Sequence, residues 1–294
     1  MIVYLKLLLT AIFWGGTFIA GRVVAQDVGP FSGSFLRFAI ASVFLLLLTW
    51  RYEGGLPRLE KGQIISIILL GMTGVFAYNV FFFKGLKIIS AGRASLIIAN
   101  NPVFIALFAA FIFKEKLNPI KVAGIIISVT GTIIVISRGN LSEILSGGFG
   151  WGELFIFFCV ASWVAYSLIG KTIMSGLSPL VSVAYSSLVG ALALFIPAYF
   201  EGMLQDLSHY SAPEWFSIFY LGFFGTVIGF VWYYEGIKTI GAIKAGQFIN
   251  FVPISAILLA FFILGEPVTL SLVGGGLLVI FGVYMTNKTL SSVR

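Results

Sequence analysis

The residue with the most demanding chemistry in this chain is Arg37, which lies 15 residues after Arg22 and 14 before Arg51, deep in an apolar run. A guanidinium placed in lipid costs several kcal/mol unless it is paired or hydrated. No Asp or Glu lies mid-run to answer it. Either it lines a wet cavity and meets a carboxylate there, or it snorkels to a surface or bonds backbone carbonyls.

Two prolines add a second kind of chemistry. Pro102 and Pro253 fall near the middle of apolar runs, where each removes an amide and frees the carbonyl four residues earlier, at Ile98 and Ile249. They read as hinges, since broken helices often mark binding sites in membranes. Beside them stand Asn100 and Asn101 in one case and Gln247 and Asn250 in the other, the latter pair spaced to share a helical face. Such amides either hold helices together by satisfying the freed carbonyls or bond a ligand's polar groups.

A third set is aromatic. Trp14 and Trp163 sit too deep in their runs for an interfacial belt, and Thr17 and Tyr166 follow about one helical turn later. These are candidates to line an adaptable cavity by stacking or cation–π contact, with ordinary packing as the alternative. Tyr78 and Asn79 join them as cavity candidates. Trp232, Tyr233 and Tyr234 end a run and read as belt residues. Glu115 and Glu266 fall between runs, where a carboxylate favours the positive end of the following helix.

The elements that must position these groups follow from composition. Hydrophobic residues make up 59% of the 294, charged ones 10%, and the mean hydropathy is +1.06. That leaves too little polar surface to coat a soluble globule. The formal charge of +7 is scattered through short connections, which fits topology control and not nucleic-acid binding. Cys159 alone allows neither an intrachain disulfide nor a cysteine metal site. Runs long enough to cross a bilayer appear at about 5–25, 30–50, 62–83, 91–113, 119–137, 151–170, 177–200, 214–235, 241–265 and 267–287. The expected fold is all-α and integral to the membrane, with ten transmembrane helices.

The chain also matches itself. Trp14, Gly21, Arg22 and Pro30 recur as Trp163, Gly170, Lys171 and Pro179 at an offset of 149, so the first run reads as a retained helix and not a cleaved signal. Between 85–131 and 236–282, 15 of 47 positions are identical at an offset of 151, including Pro102 with Pro253 and Glu115 with Glu266. Shared apolar composition does not place prolines and glutamates in register, so duplication is the better account. Residues 1–140 and 141–294 form the two expected units. With the N-terminus inside, twelve Lys and Arg fall on the cytoplasmic side and five on the other, which predicts cytoplasmic termini. Five helices per unit is an odd number, so the second copy is inverted.

The paired pattern of Trp, a basic residue, Pro, and a closing glutamate in FKEKL and LGEPV before a Gly-rich helix resembles the EamA-type branch of the drug/metabolite transporter superfamily. The first copy departs in placing Lys114 and Lys116 around Glu115. The resemblance implies a carrier of the inner (plasma) membrane, with helices one to four and six to nine around a central cavity and helices five and ten outside it. It implies secondary transport by alternating access, most like the exporters of amino acids, aromatic ones included, or of similar small metabolites. Export of other metabolites or lipophilic cationic drugs, or a channel-like facilitator, is the alternative. Expected partners are a small-molecule substrate and the lipid bilayer, as a monomer or homodimer, with no nucleic acid, no cofactor and no enzymatic activity. No Asp, Glu or His falls at mid-membrane, and His209 lies in a loop, which favours facilitative transport over proton coupling. Gly124, Ser128, Gly274, Gly275, Gly276 and Gly282 read as close-packing positions.

Overall fold

The structure is a computed structural model that describes residues 1–114, 117–140, 150–173 and 176–287. Among the described residues ten helices are long and apolar enough to cross a membrane: α1 (Ile2–Asp27), α2 (Pro30–Tyr52), α3 (Lys61–Ile88), α4 (Ala91–Phe113), α5 (Pro119–Ile136), α6 (Trp151–Lys171), α7 (Pro179–Phe200), α8 (Ala212–Ile240), α9 (Lys244–Leu264) and α10 (Leu270–Asn287). Their starts are written locally. Pro30, Pro119 and Pro179 occupy the first helical position, where a missing amide costs nothing. Asn118 and Ser178 accept from backbone amides as N-caps of α5 and α7, and capping boxes open α3 and α8. The helices cross alternately, so α1, α3, α5, α7 and α9 begin at one membrane face, here face A, and the others begin at face B.

Two pairs of helices lie at the inversion axis. In α5 and α10, Gly131 and Gly275 meet so closely that a Cβ on either would sit 2.6 or 2.7 Å from the other's carbonyl oxygen. Gly124 approaches the Gly282 carbonyl in the same way. These four are spaced so that each contact maps onto the other under the 151-residue repeat. Backbones at that distance gain van der Waals contact that lipid cannot compete for. In α2 and α7 the ends are tied: Glu201 accepts from Ser32 N at 2.7 Å and from Ser32 Oγ at 2.6 Å, while Ser178 Oγ donates to Glu53 at 2.5 Å.

The glutamate expected to serve its following helix serves a distant one. Glu266 accepts from Ala91 N at 2.8 Å and Gly92 N at 3.1 Å, so it caps α4 of the first repeat and not α10. The inverted packing brings the end of α9 against the start of α4, and two free amides there outcompete the sequence neighbour. Glu115, its repeat counterpart, lies outside the described residues.

Four spans depart from α-helical geometry. α4 is interrupted after Ile98 and restarts at Asn101, with Pro102 in its new first turn. α9 begins within the short helix Ala242–Gln247, passes through a 3-10 turn at Phe248–Asn250, and resumes at Phe251. In α3 and α8 the residues Gly71–Ala77 and Leu221–Ile228 are π-helical. These two segments coincide under the 151-residue repeat and carry the same Gly-x-x-Gly, Gly71 and Gly74 in one and Gly222 and Gly225 in the other. Wide turns of this kind are rare and concentrate at functional sites. The glycines admit neighbours: Gly222 lies against the Arg37 carbonyl and Gly71 against the Ser186 carbonyl, again equivalent pairs.

Candidate functional site

The four irregular spans surround a cavity of about 680 Å³. Trp14, Thr17, Arg37, Tyr78, Asn79, Asn101, Pro102, Trp163, Tyr166, Asn250 and Pro253, all named from sequence, line it. Gln247 does not. It ends a short α-helix while Asn250 closes a 3-10 turn, so the α-helical spacing that put them on one face does not carry across the break.

Arg37 is buried, with 8% of its surface exposed. Its Nη1 donates to Asn79 Oδ1 at 2.8 Å, and Nη2 and Nε donate to Thr226 Oγ1 at 3.2 and 3.3 Å. It therefore neither snorkels nor bonds backbone carbonyls. Both acceptors are fixed by π-helical turns: Asn79 Nδ2 donates to Val75 O at 2.8 Å, and Thr226 Oγ1 donates to Leu221 O at 2.9 Å. Arg37 thus joins a residue of each repeat, and its charge meets two neutral oxygens instead of a carboxylate. Thr226 was missed from sequence. The recurrence of Gly-x-x-Gly ahead of it at the repeat offset was the available signal.

The two asparagines at the α4 break have opposite fates. Asn100 is spent on helix packing, donating to Thr132 Oγ1 at 2.7 Å and Leu96 O at 2.9 Å and accepting from Ser128 Oγ at 2.7 Å. Asn101 lines the cavity, and its Oδ1 is buried without a hydrogen-bond partner. An orphaned acceptor of that kind carries a desolvation cost that a donor on a bound molecule would remove.

The aromatic wall is richer than the sequence suggested. Trp14 Nε1 donates to Gly225 O at 2.9 Å, within the π-helical turn of α8, and its ring lies 5.2 Å from Tyr233. Trp163 stacks on Tyr166 at 5.1 Å and meets Tyr78 at 5.3 Å. Tyr233 and Tyr234 line the cavity, which corrects their assignment to an interfacial belt: α8 continues to Ile240, so both lie inside the span and not at its end. Trp232, on another face, packs on Phe13 at 5.8 Å with Lys6 Nζ 5.9 Å above it.

The cavity reaches face A through Lys121 of α5, Lys171 at the end of α6 and Asn287 at the end of α10. Helices five and ten are therefore not wholly outside it. Ile280, Val283 and Thr286 of α10 add to its wall, where α10 meets the 3-10 turn of α9. Toward face B no lining residue comes from the helix ends, where Val24, Ala25, Phe82, Leu86 and Ile156 belong to one buried apolar cluster, and Arg93 of α4 bonds Glu153 of α6 at 2.8 Å with both side chains largely buried. Among the described residues no group of three His, Cys, Asp or Glu side chains could hold a metal ion.

The architecture and the sequence have relatives. A solved structure with a TM-score of 0.64 and 21% identity covers 97% of this chain and 97% of its own, and shows the fold alone. An uncharacterized transporter, YyaM of Bacillus subtilis (strain 168), is 32% identical over 281 residues, covering 96% of this chain and 92% of the relative. A probable terminal-alkyne amino-acid exporter of Streptantibioticus cattleyicolor is 29% identical, with coverage of 96% and 92%. The model of the EamA-like transporter family matches residues 1–137 and again 150–288, one match for each half. This chain, a multi-pass integral membrane protein, belongs to the EamA-like transporter family.

Proposed function

We propose that this transporter exports an amino acid, aromatic ones included, or a small metabolite of the same chemistry, by alternating access around the cavity. The observation that carries the reading is Arg37, a buried cation on the cavity wall whose partners are neutral. A substrate carboxylate would replace contacts to neutral oxygens with an ion pair, which a guanidinium can form through two parallel N–H···O bonds. The unpartnered Oδ1 of Asn101 suits the ammonium group, and the Trp163, Tyr166, Tyr78 and Tyr233 rings suit an apolar or aromatic side chain. The probable terminal-alkyne amino-acid exporter among the relatives supports the same class.

A lipophilic cation fits less well, because a fixed positive charge opposes it and no carboxylate is among the cavity-lining residues. The same lack of a lining acid favours facilitative transport. The excess of Lys and Arg at face A supports placing both termini, and the cavity mouth, in the cytoplasm of the cell that carries the protein in its inner membrane. Residues 1–140 and 141–294 would then be the two units that rock against each other. Counterflow in proteoliposomes, screened with labelled amino acids, nucleobases and lipophilic cations, tests the substrate class. Saturable exchange of amino acids is the expected result. Movement of another class with no amino acid moved would overturn it, and unsaturable flux would favour a channel.

A further inference from the structure

The inverted repeat allows the closed face of the bundle to be compared with the open one, residue by residue. At face B, Arg93 of α4 and Glu153 of α6 form an ion pair at 2.8 Å, their side chains 15% and 4% exposed. Glu153 also accepts from Gly150 N at 3.2 Å. Under the repeat, Arg93 corresponds to Lys244 of α9 and Glu153 to Tyr4 of α1. Those two residues stand at face A, where Tyr4 is 48% exposed and packs its ring 6.1 Å from Phe248, and Lys244 is exposed. The cation is kept in both halves, but the acid is present in one.

A second crossing behaves differently. At face A, Lys6 of α1 bonds Glu235 of α8 at 2.8 Å. Its equivalents at face B, Phe155 of α6 and Lys84 of α3, are also in contact, with Lys84 Nζ 5.7 Å above the ring. This crossing is engaged in both halves at once, so it does not distinguish the faces. The α4–α6 crossing differs from its counterpart between α9 and α1 in kind: the first is joined by an ion pair, the second by the Tyr4–Phe248 ring contact.

We propose that Arg93 and Glu153 are a one-sided latch: they hold the cavity closed at face B, and the opposite state has no matching ion pair, so the transporter rests open to face A. The inference builds on the alternating-access reading. A buried pair that exists in only one of two states biases the equilibrium by the difference between its paired and parted forms. When face B opens, Arg93 and Glu153 enter water, and at face A Lys244 meets a tyrosine. The latch makes the two repeats unequal as gates, although their folds are equivalent.

Thiol labelling tests this. Ser95, on the cavity wall in the face-B half of α4, is replaced by cysteine in a Cys159→Ala background, and a membrane-impermeant maleimide is offered at face B of cell-derived vesicles. Glu153→Gln is expected to raise the labelling rate roughly tenfold, as loss of a charge-assisted bond from one state implies. Tyr4→Glu, a change at an exposed position, supplies the missing acid opposite Lys244. It is expected to slow labelling of Ser167→Cys from face A. If Glu153→Gln fails to fold, Tyr4→Glu decides alone. Unchanged labelling in the variants that fold, with saturable counterflow intact, overturns the latch and leaves the transport reading standing. Equal labelling from both faces in the parent, together with unsaturable flux, overturns that reading and the latch with it.

Discussion

Arg37 of α2 and Ser186 of α7 occupy the same position in the two repeats and face the same cavity. Their backbones even do the same work, each presenting a carbonyl to the first glycine of a π-helical turn in the opposite repeat. Their side chains do not. Arg37 reaches across to Asn79 and Thr226, whereas Ser186 Oγ donates to Val183 O of its own helix at 3.2 Å. The backbone carries the symmetry that lets one bundle adopt two arrangements, and the side chains carry the asymmetry that lets it recognise one kind of molecule.

The largest test of that comparison removes the asymmetry. Arg37→Gln is expected to raise the half-saturation concentration for counterflow about a hundredfold, the scale of losing one member of a buried charged hydrogen-bond pair. If the half-saturation concentration stays normal, Arg37 serves packing and not substrate.

Next comes the symmetric framework. Gly131→Leu or Gly275→Leu forces a side chain into a neighbouring backbone and is expected to cost roughly 1–3 kcal/mol, or to prevent folding, read as a lower thermal midpoint in detergent. Gly274, one residue away, has nothing within 4 Å of its Cβ position, so Gly274→Leu should leave the midpoint unchanged. Equal effects at Gly274 and Gly275 would place the α5–α10 contact elsewhere.

A smaller effect sharpens the role of the π-helical turns. Trp14→Phe keeps an aromatic ring, a smaller one, but loses the bond to Gly225 O. The expected change is about a fivefold lower exchange rate, in line with one neutral hydrogen bond. Trp163→Phe, at the equivalent position, is expected to act through stacking on Tyr166 and so to change the order of preference among aromatic and aliphatic substrates. The smallest effect is Gln247→Ala, expected to leave half-saturation within about twofold because the residue lies off the cavity wall.

Much of the site was legible because it rests on cost. A guanidinium, a mid-span proline or an amide in hydrocarbon is expensive wherever the chain goes, so Arg37, Pro102, Pro253, Asn79 and Asn101 announced themselves by type and depth alone. What stayed hidden was partner choice. Thr226 is small and neutral and costs little in any environment, so nothing marked it until Arg37 was seen against it. Tyr233 and Tyr234 were misplaced because span ends are set by where a helix meets the interface, and α8 runs to Ile240, beyond the apolar run that predicted it. Asn100 and Asn101 are adjacent and chemically identical, and only the restart of α4 between them turns one into the α5 contact and the other into the cavity.

By itself, the sequence determined ten membrane spans, their duplication and their inversion, because each depends on quantities summed along the chain: hydropathy over some twenty residues, a constant offset, an odd count. Tertiary structure alone decided that α3 and α8 open into π-helical turns around the cavity, that Glu266 caps α4 of the opposite repeat, and that Arg93 finds an acid where Lys244, among the described residues, finds none. The last two are contacts between residues tens to hundreds of positions apart. Which polar group ends beside which is settled by packing, where each unsatisfied amide, carbonyl or charge takes the partner that the folded geometry brings within reach.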